Sequence, residues 1–285
     1  MRWVPGGESR NVEDRRGRGY RMAPVGIGGA IILLVLSLLF GRDFVSAPPV
    51  TNPAETAAGE IVPGGIEQTP EEAKEVQFVS WVLDTAQATW SRLLPEKMGT
   101  PWQNATLVLF RNATPTGCGV GQTATGPFYC PLDQKLYIDL SFYNELRDRF
   151  GAPGDFAQAY VLAHELGHHV QHLLGTDAKV RRAQQAYPGN ANQLSVMLEL
   201  QADCYAGVWG HYAQAGGALE PGDVQEGLAA AAAVGDDRIQ RETTGHINTD
   251  SFTHGTSEQR ERWFNRGFTT GDPRQCNTFA AVSER

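Results

Sequence analysis

The residues whose types and spacing most clearly support chemistry are His164-Glu165-Leu166-Gly167-His168, an HExxH pattern. On a helix, side chains four apart share a face one turn apart, so both imidazoles can reach one ion at about 2.1 Å. Glu165 is turned about 100° from His164 and lies beside such an ion as a general base for water. His172 continues the same stripe, but a His168/His172 pair has His169 where the base should be. His169 and His172 therefore read as supporting or surface groups.

A catalytic zinc site takes three protein ligands and leaves one position open. Glu199 is the expected third ligand, and Asp203, one turn on, can accept the remaining N–H of a ligand histidine. The plainer alternative is two solvated helix acids, and His211 is an alternative ligand farther down. His254 could donate to the oxyanion formed as water adds to a carbonyl. Arg260 could orient Asp203 or a substrate carboxylate, with Tyr205 and His246 as lesser donors.

These groups need helices to hold them. The run AQAYVLAHELGHHVQHLL is apolar at helical spacing, and Asp155 is placed to cap a helix ending near Leu174. Asn190 or Asn192 begins another that ends near Tyr212, Asp223 one that ends near Val234, and Ser257–Arg266 reads as the last. Earlier, Thr69-Pro70-Glu71-Glu72 gives a capping box for a helix ending near Leu94. Two short apolar runs, from Ala105 and from Lys135, read as strands of a small sheet on either side of a Gly-rich loop. The expected fold class is α+β: mainly helical with a small sheet, plus one N-terminal transmembrane helix.

The chain has 285 residues, 41% of them apolar, and a formal net charge of -8. This allows one substantial core and excludes a general nucleic-acid binder, which needs clustered Lys and Arg. The one basic cluster, Arg10, Arg15, Arg16, Arg18 and Arg21, precedes an uncharged stretch from Met22 to Phe40. Roughly 19 residues at about 1.5 Å each nearly cross a hydrocarbon layer of about 30 Å, and positive charge stays in the cytoplasm. Residues 1–21 are thus expected as a cytoplasmic tail, 22–40 as an anchor in a lipid bilayer, 41–68 as a linker and 69–285 as the catalytic domain. A cleaved signal is the alternative, with Val45-Ser46-Ala47 as a cleavage-like site before Pro48.

Either reading exports the domain, in keeping with four cysteines that can close two bridges in an oxidising compartment. Among the three connectivities, Cys118 with Cys130 and Cys204 with Cys276 is the favoured one. The rival, a cysteine zinc site, lacks any CxxC spacing.

Several segments together resemble one family: SRNVEDRRG at 9–17, GPFYCP at 126–131, GDFAQAY at 154–160, HELGHHVQ at 164–171, ELQADC at 199–204 and DSFTHGTSEQR at 250–260. The chain resembles the bacterial neutral zinc metallopeptidases nearly end to end. The resemblance implies a zincin fold with one Zn²⁺ held by His164, His168 and Glu199, and a protein or peptide substrate outside the cytoplasm. Thr253-His254-Gly255 stands where similar membrane-associated peptidases have Thr-His-Pro. A zinc-stabilised envelope adaptor and a cell-wall peptide amidase are the other function classes, and Glu165 separates the adaptor from the enzymes.

Overall fold

In the computed structural model, residues 1–21, 60–63, 65–66, 68–148, 154–244 and 246–280 are described. In chain order the strands are β1 (Val12–Asp14), β2 (Arg18–Arg21), β3 (Glu60–Pro63), β4 (Thr106–Leu109), β5 (Ala113–Thr116), β6 (Gly119–Gln122), β7 (Phe128–Cys130) and β8 (Lys135–Ile138). The helices are α1 (Pro70–Met98), α2 (Phe142–Asp148), α3 (Asp155–Leu173), α4 (Thr176–Ala186), α5 (Ala191–Ala215), α6 (Asp223–Ala233), α7 (Asp236–Thr244) and α8 (Ser257–Thr270). The main sheet runs in the order β1-β4-β8-β7, with β1 and β8 parallel to β4 and β7 antiparallel to β8.

The capping box at Thr69 forms as its sequence predicts, with Glu72 N–H donating to the Thr69 hydroxyl and the Glu72 carboxylate accepting from Thr69 N–H. Helix α1 continues through Pro95 to Met98 and stops where Gly99 takes a left-handed conformation at φ 67°. Pro95 is tolerated because it sits on the exposed side of the last turn, where the carbonyl it leaves without a partner can meet solvent. Val79, Val82, Leu83, Ala86 and Trp90 on α1 share one core with Leu107, Leu109, Leu136 and Ile138 of the sheet and with Tyr160, Leu162 and Leu166 of α3. Gly154 and Gly222, not the acids that follow them, stand at the caps of α3 and α6.

Two close helix crossings position the site. A Cβ on Gly207 would lie 2.0 Å from the Phe264 carbonyl oxygen, and one on Gly267 would lie 1.9 Å from that of Cys204, so α5 and α8 pack backbone to backbone. Likewise a Cβ on Gly167, inside the HExxH pattern, would sit 2.9 Å from the Ala202 carbonyl oxygen. That contact draws α3 onto α5 between Glu199 and Asp203. Both expected disulfides are present, Cys118–Cys130 and Cys204–Cys276.

The N-terminal expectation is corrected. Among the described residues no helix is long and apolar enough to cross a membrane, and 22–40 itself lies outside them. Residues 1–21 do not form a separate tail: β1 is an edge strand of the main sheet, in register Val12↔Leu107, and β2 pairs with β3 in register Arg21↔Glu60. Both flanks of the apolar stretch thus belong to one mixed helix-and-sheet fold. Two arginines of the basic cluster are paired locally. Arg15 Nε lies 2.8 Å from Glu13 and Arg16 Nη2 2.6 Å from Asp14, and Arg16 also donates to the Gln68 side chain at 2.8 Å.

Candidate active site

Helix α3 presents His164 and His168 on one face, their rings 4.8 Å apart, and α5 brings Glu199 opposite them. His164 Nε2 lies 3.2 Å from Glu199 Oε2, and His168 Nε2 lies 3.5 Å from Oε1. One ligand atom from each residue falls within 4.8 Å of the others, so the three sequence-predicted ligands converge.

The far nitrogens are tied back. His164 Nδ1 is 2.8 Å from Asp203 Oδ1, and a carboxylate can only accept, so Nδ1 carries the proton. His168 Nδ1 is 2.9 Å from the Gln171 side-chain oxygen. Both Nε2 atoms therefore face Glu199, and each would serve as a ligand once a metal ion takes the place of any proton there. Two imidazole nitrogens and a carboxylate oxygen, with further solvent-side space at His168 and Glu199, which are part-exposed, suit a tetrahedral zinc ion with one open position.

Asp203 is fully buried and accepts four bonds: His164 Nδ1–H, the Tyr160 hydroxyl at 2.6 Å, and Arg260 through Nε at 2.8 Å and Nη2 at 2.9 Å. Burial works against its charge, but Arg260 and His164 outweigh it and hold the carboxyl at about 2. Arg260, 3% exposed, also donates to the Val234 carbonyl at 3.2 Å, so α8, α6 and α5 meet at this ion pair. Burial likewise disfavours a charged ring at His164, yet Asp203 and Glu199 raise its pKa to about 10, the mark of a pocket whose field favours a cation. Glu199 is held well below the usual carboxylate range despite its burial, first by His168.

Glu165 is 9% exposed and makes no hydrogen bond or ion pair with the described residues, which leaves its carboxylate available to water. His254 stands in the loop before α8 with half its side chain exposed, at 51%, and its Nδ1 is 3.1 Å from Asp236 Oδ1. Asp236 Oδ2 accepts from the backbone N–H of Thr253, His254 and Gly255 at 2.7, 2.6 and 3.0 Å. Gly255 has φ 90°, and a Cβ there would meet Leu200 and Val196 at 3.2 Å, so the loop packs on the turn of α5 that bears Glu199. Proline, fixed near φ -65° and lacking N–H, fits neither that conformation nor the bond to Asp236. Burial opposes protonation of His254, but Asp236 and the charge of Glu199 raise its pKa.

The remaining sequence candidates fall elsewhere. His169 is fully buried, His172 pairs with Asp177 at 3.0 Å, and His211 donates Nδ1–H to the Phe268 carbonyl at 2.8 Å. Tyr205 packs edge-on against Trp90 in the core, and His246 is exposed. Sequence reasoning missed Tyr160, although it lies one helical turn before His164 on the same face. It also missed Asp236, whose role comes from a loop contact that no spacing reveals.

Comparison with known proteins finds relatives and a family. The chain is 50% identical to "Uncharacterized protein YpfJ" of Escherichia coli strain K12 over 294 residues, covering 98% of this chain and 99% of that protein. It is 47% identical to "Uncharacterized protein Rv2575" of Mycobacterium tuberculosis over 210 residues, covering 70% and 69% respectively. No solved structure matches the chain. The family described as "Putative neutral zinc metallopeptidase" matches residues 1–279, from β1 past the last disulfide, and the chain belongs to that family.

Proposed function

We propose that this protein is a zinc-dependent peptidase that hydrolyses protein or peptide substrates in an oxidising compartment, with one Zn²⁺ per chain held by His164, His168 and Glu199. The observation that carries this reading is the pairing of three converging ligands, each histidine presenting Nε2, with an uncommitted carboxylate at Glu165. Two disulfides support the oxidising compartment. Zinc, when bound, supplies Lewis acidity that activates water and polarises the scissile carbonyl.

The chain's own residues do the rest. Glu165 takes a proton from water as its oxygen bonds to the carbonyl carbon, then passes that proton to the amide nitrogen as the C–N bond breaks. A carboxylic acid and an amine result. His254, its Nδ1 tied to Asp236, presents Nε2–H when protonated and steadies the negative oxygen of the intermediate. Asp203 and Arg260 keep the His164 ring in place and in one tautomer.

The test is zinc content and cleavage of a mixed peptide library by the full chain and by Glu165→Gln. Bound zinc in both, with cleavage reduced by about 10²–10⁴ in the variant, supports the peptidase. Zinc without cleavage by either protein makes it an adaptor. Cleavage confined to cell-wall peptides makes it an amidase.

A further inference from the structure

Beyond the ligands, the interior between α3, α5 and the C-terminal tail holds a chain of amides that the mechanism does not use. Gln171 is 0% exposed and Gln201 6% exposed, so neither can rely on bulk solvent for partners. Gln171 Nε2 donates to the Leu198 carbonyl at 2.6 Å and to Gln201 Oε1 at 3.2 Å. Gln201 Nε2 in turn donates to the Cys276 carbonyl at 2.9 Å.

The two backbone carbonyls are acceptors only, so each fixes which end of its amide is nitrogen. Leu198 and Cys276 together force the oxygen of Gln171 toward His168 Nδ1, and that oxygen forces the proton of His168 onto Nδ1. The end of the chain is itself anchored. Cys276 is bonded to Cys204 on α5, and the Thr278 hydroxyl donates to the Met197 carbonyl at 2.6 Å.

We propose that Gln171 and Gln201 are positioning residues that lock the metal-binding tautomer of His168, and that the Cys204–Cys276 bridge, by holding the Cys276 carbonyl, sets the zinc affinity of the site. This rests on the metal-site reading above. His164 has a charged counterpart to this arrangement in Asp203 and Arg260. For His168 the same task falls to neutral amides backed by a covalent tie, so its orientation depends on the tail.

The experiment is zinc affinity by chelator competition for the full-length wild type, Gln171→Met, Gln201→Met and the double variant Cys204→Ala/Cys276→Ala. Imidazole ¹⁵N shifts of the zinc-free proteins report the His168 tautomer directly, which a merely structural role would not move. Gln171→Met is expected to lose about 10- to 100-fold in affinity and to show mixed tautomers. Gln201→Met should lose less, because Leu198 still holds Gln171, and the disulfide variant should move in the same direction. A folded Gln171→Met with unchanged affinity and tautomer overturns the proposal. If that variant does not fold, unchanged affinity in both of the others overturns it, and a fall in both supports it. Wild type that takes up no zinc sinks the metal-site reading and the relay together, whereas equal zinc binding in all proteins sinks the relay alone.

Discussion

Two sides of helix α3 carry two pairs of histidines, and their partners give them opposite characters. His164 and His168 have Nδ1 turned to acceptors and Nε2 turned to Glu199. His169 is reversed: Nε2 lies 2.8 Å from the Gln103 carbonyl and so carries the proton, while Nδ1 accepts from the Tyr129 hydroxyl at 2.9 Å. Its ring packs edge-on against Trp102, and burial lowers its pKa to about 4. His172, at the rim, is an ion-pair partner of Asp177. The difference teaches that a histidine's role is written by what holds its second nitrogen. His164 and His168 each have an acceptor behind Nδ1 and Glu199 before Nε2, whereas His169 is held by a protein neighbour of its own on each nitrogen.

Four measurements would break or sharpen that contrast. The largest effect is expected for His168→Ala, which should lower zinc affinity by well over about 100-fold, beyond the range of outer-shell changes. His169→Phe should leave zinc bound; equal losses from the two variants would erase the distinction. Next is pH. His169 stays neutral in the fold down to about 4, whereas the unfolded ring takes a proton near its ordinary 6.5. Stability is then fully present above about 6.5 and is lost as pH falls toward 4, by about 3 kcal/mol. Denaturant melts of wild type and His169→Phe, compared across that window, should show the slope in the first and its loss in the second.

Gly167→Ala should be smaller. The new Cβ meets the Ala202 backbone, so α3 and α5 must part, at a cost of about 1–3 kcal/mol and with weaker zinc binding. Unaltered affinity would mean that Glu199 does not depend on that crossing. Least of all, His172→Gln should change stability by about 0.5 kcal/mol or less and leave zinc content intact.

The pairing of His164 with His168 was legible because helical periodicity is local, whereas Glu199, on another helix, was reached through the ligand count of a zinc site and the family resemblance. Both disulfide pairings were also legible, since the four cysteines allowed few combinations and one pair spans a short loop. The N-terminal segment was misread because its arginines were taken as a signal that keeps it in the cytoplasm before an anchor. Arg15 and Arg16, just past the end of β1, fold back onto Glu13 and Asp14 at its close, a contact visible only once the strand end is known. The amide chain from Gln171 to Cys276 and the grip of Asp236 on the His254 loop join distant parts of the sequence. No local pattern encodes them.

The β2–β3 ladder also brings together the two ends of the chain that lies between its strands. Arg21 and Glu60 face each other in antiparallel register, so the intervening stretch departs and returns at one doorway. A ladder of this kind tolerates a splice: joining Arg21 to Glu60 through a two-residue Asn-Gly turn would preserve the pairing and shorten the loop to be closed. Starting the chain at Thr69, by contrast, would strip β1 from the sheet and bare the backbone edge of β4. The first cut keeps every described strand pair, and the second removes that of β1 with β4.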